Sequence, residues 1–440
     1  MASGDDLYLG LDFGTSGARA TVVDDDGNVH ADTKAAYMAG AEQDWARAWE
    51  TALWQLLEST PGDMRERVAS VAIDGTSATA LLVDKSDGTV LQPPKLYNEA
   101  QGDDAVKAAK AIAPPAHTAT ASTSTLCKLL TWHHVGAWQA AAAAGRQPVL
   151  LHHADWLASL LHGDRTVSDW NNALKLGFDP ETEAYPEWLT SQPFAHMMPA
   201  RVLAPGSPAG LVTAARGGLR PSCIVAAGTT DSIAAFVAAG VDSPGQAVTS
   251  LGSSLAVKLI STTRVDDAAY GVYSHRLGDV WLVGGASNTG GAILRSLFTD
   301  DKLVELTQGI ELRSLFSDAP TGLDYYPLTK PGERFPINDP TLLPRLEPQP
   351  VDDVTFLQGI FESIARIEAD AYARLTQLGA TPVTQVLTAG GGAVNPAWTR
   401  LRARAIGVPV APAAHGDASY GAALLARQAA RGTAGHKQRA

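Results

Sequence analysis

The segment Leu7–Asp24 limits what this chain can fold into more than any other. An apolar run, Leu7-Tyr8-Leu9-Gly10-Leu11, delivers a carboxylate, Asp12, to a tight turn of Gly14, Thr15, Ser16 and Gly17, and a second apolar run leaves the turn. Backbone N–H groups and hydroxyls in such a turn can cradle phosphate oxygens. A carboxylate beside them can hold Mg²⁺, directly or through water. The pattern points to nucleotide chemistry without either common phosphate loop. The chain has no G-x-x-x-x-G-K-[ST], and no strand in it runs into a G-x-G-x-x-G helix start. Read alone, the same residues also suit an ordinary β-hairpin.

Composition narrows the setting. At about 150 residues per domain, 440 residues imply two or three domains. The net charge of -12 argues against partners held by phosphate electrostatics, so nucleic acid and anionic membranes are not expected. Binding ATP needs only local donors and a metal. Cys127 and Cys223 are far apart, form no metal-spacing motif and read as small buried residues. A reducing compartment, cytoplasm or plastid stroma, fits them. No apolar run approaches the roughly 18 residues of a membrane span. The acidic start, Met1–Asp6, reads as neither a signal nor a transit peptide.

Strands and helices alternate, which predicts an α/β architecture. Strands are expected at 7–13, 18–24, 68–74 and 79–84. A helix is expected from Asp44 to Ser59, with Asp44 as cap and Trp45, Trp49, Leu53, Leu56 and Leu57 on its core face. A second helix is expected over Asp353–Gly379, with Phe356, Leu357, Ile360, Phe361, Ile364 and Ile367 on one face. Ala247–Ile260 repeats the opening pattern: apolar strand, Gly-Ser-Ser turn, apolar strand. Two such hairpins half a chain apart suggest a duplicated domain, with a boundary near 220–245. Tyr326–Pro350, rich in proline, reads as a long surface excursion. Ala137–Gly145 reads as a helix end, and Gly432–Ala440 as a frayed terminus. The histidine pairs 133–134 and 152–153 read as structural, because adjacent residues on a helix point in different directions.

Two further segments carry chemistry. In Gly228-Thr229-Thr230-Asp231-Ser232 an apolar run ends in a polar turn, and a helix of small residues follows. Asp231 or Thr230 could simply cap that helix. Alternatively, Asp231 is a general base that accepts a hydroxyl proton during phosphoryl transfer. In Gly390-Gly391-Gly392 a strand ends in glycines that let a flat or phosphorylated ligand approach the backbone. Asn395 and Pro396 then start a helix.

Together these segments resemble the FGGY carbohydrate kinases, within the actin, hexokinase and Hsp70 superfamily, over nearly the whole chain. Asp12-Phe13-Gly14-Thr15-Ser16 looks like the family's first phosphate motif. Gly228-Thr229-Thr230-Asp231-Ser232 looks like its second, with Asp231 at the position of the catalytic base. Leu251-Gly252-Ser253-Ser254 looks like the hairpin that meets the nucleotide phosphates, and Gly390-Gly391-Gly392 with Asn395 and Trp398 looks like the adenosine motif. Smaller echoes are Glu42-Gln43-Asp44 and Gly421–Ala426. The resemblance implies two duplicated ribonuclease H-like domains about a central cleft. Residues 1–225 would bind sugar and phosphate, and residues 226–440 would bind the nucleotide and supply the base. It implies ATP and Mg²⁺, with Asp12 as the metal-side carboxylate, and a small sugar as partner.

One departure bears on the sugar. Where many members carry aromatic-x-Asp-x-Arg, this chain has Tyr97-Asn98-Glu99-Ala100-Gln101, so a forked cationic donor is missing. The segment Ala72–Thr79 and the Tyr97-Asn98-Glu99 segment resemble those of the cyanobacterial and plant-type D-ribulose kinase group. That likeness implies a sugar among Asp12, Thr76 or Ser77, Asn98, Glu99 and Asp231, phosphorylated to D-ribulose 5-phosphate. Xylulose or another polyol, and a non-catalytic nucleotide-binding sensor or chaperone-like ATPase, are the alternatives.

Overall fold

The computed structural model describes residues 6–37, 44–317 and 319–437. Glu42 and Gln43 of the short echo, residues 1–5 of the N-terminus and residues 438–440 of the C-terminus lie outside the described residues. The chain divides into two compact units: Met1–Ala238 with Asp417–Ala440, and Ala239–Gly416.

In the first unit, β1 (Leu7–Phe13) pairs antiparallel with β2 (Gly17–Val23), which pairs with β3 (Val29–Ala36). On its other side β1 pairs in parallel with β4 (Val68–Gly75). The sheet runs β3-β2-β1-β4 and continues through Ile224–Ala226 and Pro208–Leu211. Because β1 is covered on both faces, its sequence is nearly all apolar. Leu7, Leu9, Leu11 and Phe13 join the core that α1 (Trp45–Ser59) completes with Trp49, Leu53 and Leu57. Asp44 caps α1, accepting from the Arg47 N–H at 3.1 Å. Tyr8, on the opposite face, joins Ala72, Ala423 and Ala426.

That second face is covered by the helix Ala418–Lys437, and close approach is why small residues line it. A Cβ on Gly10 would stand 1.9 Å from the Ser419 carbonyl oxygen, and one on Gly421 would stand 1.8 Å from that of Ala234. Three further strands, Val90–Lys95, Ala80–Asp84 and Pro148–His152, form a separate small sheet. The helix Thr125–His134 belongs to the core built on it.

The second unit repeats the plan. Gln246–Leu251 pairs antiparallel with Leu255–Ser261 and parallel with Gln385–Ala389, as β1 does with β2 and β4. Its six strands run Tyr273–Leu277, Val280–Ser287, Leu255–Ser261, Gln246–Leu251, Gln385–Ala389, Val410–Pro412. The helix Asp353–Gln377 buries Phe356, Leu357, Ile360, Phe361 and Ile364 in that unit's core.

The division differs from the expected 1–225 and 226–440. The helix Asp231–Ala238 and the helix Ala418–Lys437 pack on each other, so both fall in the first unit, and Asp231 goes with them. The stretch 326–350 is more than a surface excursion. Phe335 is fully buried, and the buried Glu333 accepts from Ser287 Oγ at 2.6 Å, Tyr326 OH at 2.9 Å and the Asn288 N–H at 2.7 Å. Both cysteines are buried and unbridged. Among the described residues no helix is long and apolar enough to cross a membrane.

Candidate active site

The parallel register of β1 and β4 sets Asp12 opposite Asp74, and the register of β4 with the short strand Thr229–Thr230 sets Thr229 opposite Asp74. Asp231 follows at the first turn of the helix Asp231–Ala238, where the Ser232 N–H donates to its Oδ1 at 2.6 Å. Asp12 is half-buried, whereas Asp74 is fully buried and neither of its oxygens meets a partner in hydrogen-bond geometry. Burial, with the negative charge of Asp12 and Asp231 adding to it, pushes the Asp74 carboxyl well above the usual range. Burial is also the main cause that raises Asp12; the charges of Asp231 and Asp417 add to it, and neighbouring Asp74 and the Arg19 guanidinium oppose it. Burial is thus the main cause that raises both carboxyls of the pair. Sequence reasoning passed over Asp74, although a carboxylate inside the apolar run of β4 was the available signal.

Among the described residues no three or more His, Cys, Asp or Glu side chains converge as a metal site. The residues still fit a hydrated Mg²⁺. Asp12 offers a half-exposed carboxylate at the strand end, and water and phosphate oxygens complete such a shell as a rule.

Around this centre lie the turns singled out from sequence. Gly14 to Ser16 form the β1–β2 turn, closed by the Gly14 N–H donating to the Gly17 carbonyl at 3.1 Å, with Thr15 and Ser16 exposed. A Cβ on Gly228 would stand 1.9 Å from the Ile73 carbonyl oxygen, so only glycine fits there. Thr229 is fully buried, and its hydroxyl accepts from Asn171 Nδ2 at 3.0 Å. Its side chain thus holds the turn in place. Asn171 is another residue the sequence did not flag. Its backbone N–H is in turn held by Asp169 at 2.8 Å.

Thr76 and Ser77 separate clearly. The Thr76 hydroxyl is engaged inward, 2.7 Å from Thr79 Oγ1 and 3.3 Å from His153 Nδ1, while Ser77 is half-buried. Asn98 is exposed. Glu99 accepts from Lys95 Nζ at 2.7 Å and Gln101 Nε2 at 3.2 Å. Burial opposes its ionisation, but those two hydrogen bonds outweigh it, and the carboxyl is lowered. The two turns are joined by a fully buried cation, Lys128. Its Nζ donates to the Ala78 carbonyl at 2.7 Å and the Leu96 carbonyl at 2.6 Å. A lysine within Leu126-Cys127-Lys128-Leu129-Leu130 was its only trace in the sequence.

In the second unit, Gly252 and Ser253 sit at the hairpin turn. The Gly291 N–H donates to the Gly252 carbonyl at 2.7 Å, and Arg295 Nη2 to Ser253 Oγ at 2.7 Å. The glycines after Ala389 lie against that turn: a Cβ on Gly392 would stand 2.5 Å from the Leu251 side chain. Gly391 faces open space. Asn395 caps the helix Pro396–Ile406, accepting from the Trp398 N–H at 2.9 Å. Trp398 departs from expectation. It is 3% exposed and stacked on Phe361 at 4.6 Å and 7°, so in this unit it is a core residue and not a lining one.

The structure therefore gathers Asp12, Gly14, Thr15, Ser16, Thr76, Ser77, Gly228, Thr229 and Asp231 on the first unit. Gly252, Ser253, Gly391, Gly392 and Asn395 gather on the second. The fold is the two-domain α/β fold of sugar kinases of the actin and hexokinase ATPase type. Residues 247–430 match the C-terminal domain of the FGGY family of carbohydrate kinases. The chain is 28% identical to a xylulose kinase of Streptomyces coelicolor, over 96% of this chain and 87% of that protein. It superposes on a xylulose kinase structure from Brucella ovis with a TM-score of 0.80 at 25% identity, covering 97% and 91% of the two chains. It superposes on a Plasmodium falciparum glycerol kinase with ADP with a TM-score of 0.81 at 16% identity, covering 96% and 89%. The match to an FGGY C-terminal domain over residues 247–430, together with these relatives, supports an ATP-dependent sugar kinase.

Proposed function

We propose that this kinase phosphorylates a five-carbon ketose at its terminal hydroxyl, O5, with Asp231 as general base. The observation that carries the reading is Asp231 itself, a partly exposed carboxylate at a helix start, grouped with the half-exposed Asp12 and the fully buried Asp74. Asp231 takes the proton of the attacking hydroxyl as the O5–phosphorus bond forms and the bond from the γ-phosphorus to the bridging oxygen breaks, releasing ADP. General base assistance of this kind contributes roughly 10²–10⁴-fold. Asp12 would hold Mg²⁺ through water; the ion, when bound, supplies positive charge that offsets the phosphate oxygens. In the first unit Thr15, Ser16 and the backbone at Gly14, Gly228 and Thr229 offer donors suited to phosphate; in the second unit Gly252 and Ser253 form a hairpin turn with the same kind of donors. The backbone at Gly391, which faces open space, leaves room for the adenosine, while Gly392 lets the loop pack on Leu251.

For the sugar, Ser77 is the better placed hydroxyl, because Thr76 is engaged inward. Asn98 and Glu99 lie on the turn that Lys128 ties to Ala78. D-Ribulose is the substrate we favour from the Ala72–Thr79 and Tyr97–Glu99 segments. D-Xylulose is the second reading, favoured by the Streptomyces and Brucella relatives. The two sugars differ in the configuration of one hydroxyl, so a single contact decides between them. ADP release with Mg-ATP, measured with D-ribulose, D-xylulose, L-ribulose, glycerol and no sugar, tests the proposal. Turnover selective for one ketopentose supports it. Preference for glycerol discards the ketopentose, and release independent of sugar overturns the reading.

A further inference from the structure

We infer that the buried pair Arg402–Glu368 is a positioning device that sets the two nucleotide loops, Gly252-Ser253 and Gly390–Gly392, in register with each other, and so governs affinity for the adenine nucleotide. The inference rests on the reading of those loops given above. Both side chains are 0% exposed. Arg402 grips Glu368 with two N–H groups, Nε to Oε2 at 2.5 Å and Nη2 to Oε1 at 2.7 Å. The third arm of the guanidinium, Nη1, donates to Thr388 Oγ1 at 2.7 Å. Glu368 in turn accepts from the Thr249 hydroxyl, which also lies 2.8 Å from the Tyr372 hydroxyl.

The two threonines make this more than a core ion pair. They are direct register partners on adjacent parallel strands. Each stands just before a glycine loop, Thr249 three residues before Gly252 and Thr388 two before Gly390. One rigid group therefore reaches both strands at the same level, just below the loops they carry. Beyond that level the loops touch, since a Cβ on Gly390 would stand 3.0 Å from the Leu251 carbonyl oxygen. A shift of one strand against the other would displace the backbone N–H groups of one loop relative to the other.

A fully buried ion pair is a poor device for stability, because desolvation offsets its attraction and apolar replacements are often neutral or better. What a forked pair does provide is geometry, since two parallel hydrogen bonds fix both separation and angle. Misplacement of positioning groups by about 1 Å can cost roughly 10²-fold in function. The arrangement thus predicts a dissociation between fold stability and nucleotide affinity.

The test compares wild type with the apolar double variant R402M/E368L, and with Thr249→Val and Thr388→Val. Melting temperature, Mg-ADP affinity by calorimetry, and the KM values for ATP and for sugar are measured. For R402M/E368L the expected result is a cooperative melt, ADP affinity and ATP KM weakened roughly tenfold, and a sugar KM within about twofold of wild type. The threonine variants, which remove one hydroxyl each, are expected to weaken ADP roughly threefold. If the double variant fails to fold, they carry the test alone. Variants that fold and bind Mg-ADP as wild type does, or that weaken sugar and ATP equally, overturn the inference. Wild type that binds no Mg-ADP overturns instead the reading of the loops on which it rests.

Discussion

Replacing Lys128 by methionine should cost more stability at pH 9 than at pH 7. The Lys128 ammonium is buried, and burial is the main cause that lowers its pKa from 10.5 to about 7. Lys175 and Lys95 lower it further, against the pull of Glu99 and Cys127. In the unfolded chain the amine keeps its proton up to about pH 10.5. Between pH 7 and pH 10.5 the unfolded state therefore binds more protons than the folded one, and this group makes stability rise with pH. A full unit of that window is worth about 1.4 kcal/mol. From pH 7, where the folded group is half titrated, to pH 9, the gain is about 2 kcal/mol. The Lys128→Met protein lacks that gain. At either pH it also leaves the Ala78 and Leu96 carbonyls without their donor, at roughly 1–3 kcal/mol for each buried group. Thermal melts of both proteins at pH 7, 8 and 9 isolate the term, because every other titrating group is common to the pair. At about 2–4 °C per kcal/mol, the gap in melting temperature should widen by roughly 4–8 °C between pH 7 and pH 9. A gap that is constant or narrows toward pH 9 refutes the reasoning. The same variant should raise the sugar KM, because the Ala78 and Leu96 turns lose their tie.

Asp231→Asn should lower kcat by roughly 10²–10⁴-fold while sugar affinity by calorimetry stays within about threefold; unchanged turnover would remove Asp231 from the base role. Ser77→Ala should raise the sugar KM with little change in melting temperature, whereas Thr76→Val, which breaks contacts with Thr79 and His153, should lower the melting temperature. His153, whose pKa burial depresses to about 3, makes the fold lose stability as pH falls from 6.5 toward 3, since the unfolded state takes up the proton first. Acid unfolding of His153→Leu should accordingly be shallower over that range. Gly228→Ala, with its Cβ placed 1.9 Å from the Ile73 carbonyl oxygen, should destabilise by at least about 1–3 kcal/mol in urea unfolding.

What the sequence discloses and what it hides follow from the range of the interactions involved. The strand Leu7–Phe13 and the hairpin that opens at Gln246 are legible because burial leaves mainly apolar runs on either side of a Gly-Ser or Gly-Thr turn. The helices at Trp45 and Asp353 are legible because their apolar residues recur at helical spacing. The division of the chain is not, because nothing local to Ala418–Lys437 says which sheet it will cover. The pairing is written in distant small residues, Gly10 and Ala72 on the strands and Ala423 on the helix. Trp398 is misread as a ligand-lining residue because a tryptophan after a glycine turn looks the same whether it faces a ligand or, as it does, Phe361. Asp74, Lys128, Asn171 and Arg402 share one trait. Each is a polar side chain in an apolar or unremarkable setting whose neighbours in the fold are remote in sequence. Thr229 and Asn171, or Lys128 and Ala78, meet only once the chain has folded.

The helix Ala418–Lys437 also governs the order in which the molecule can be completed during synthesis. The first unit cannot cover the Tyr8 and Ala72 face of its sheet until that helix leaves the ribosome, roughly 180 residues after Ala238. At about 5–20 residues per second that is a delay on the order of 10–40 s. The second unit, continuous from Ala239 to Gly416, has all its strands in hand before then. The half that begins first therefore finishes last. For that interval it carries a small-residue face with no cover, the part of the nascent chain on which a chaperone has most reason to act.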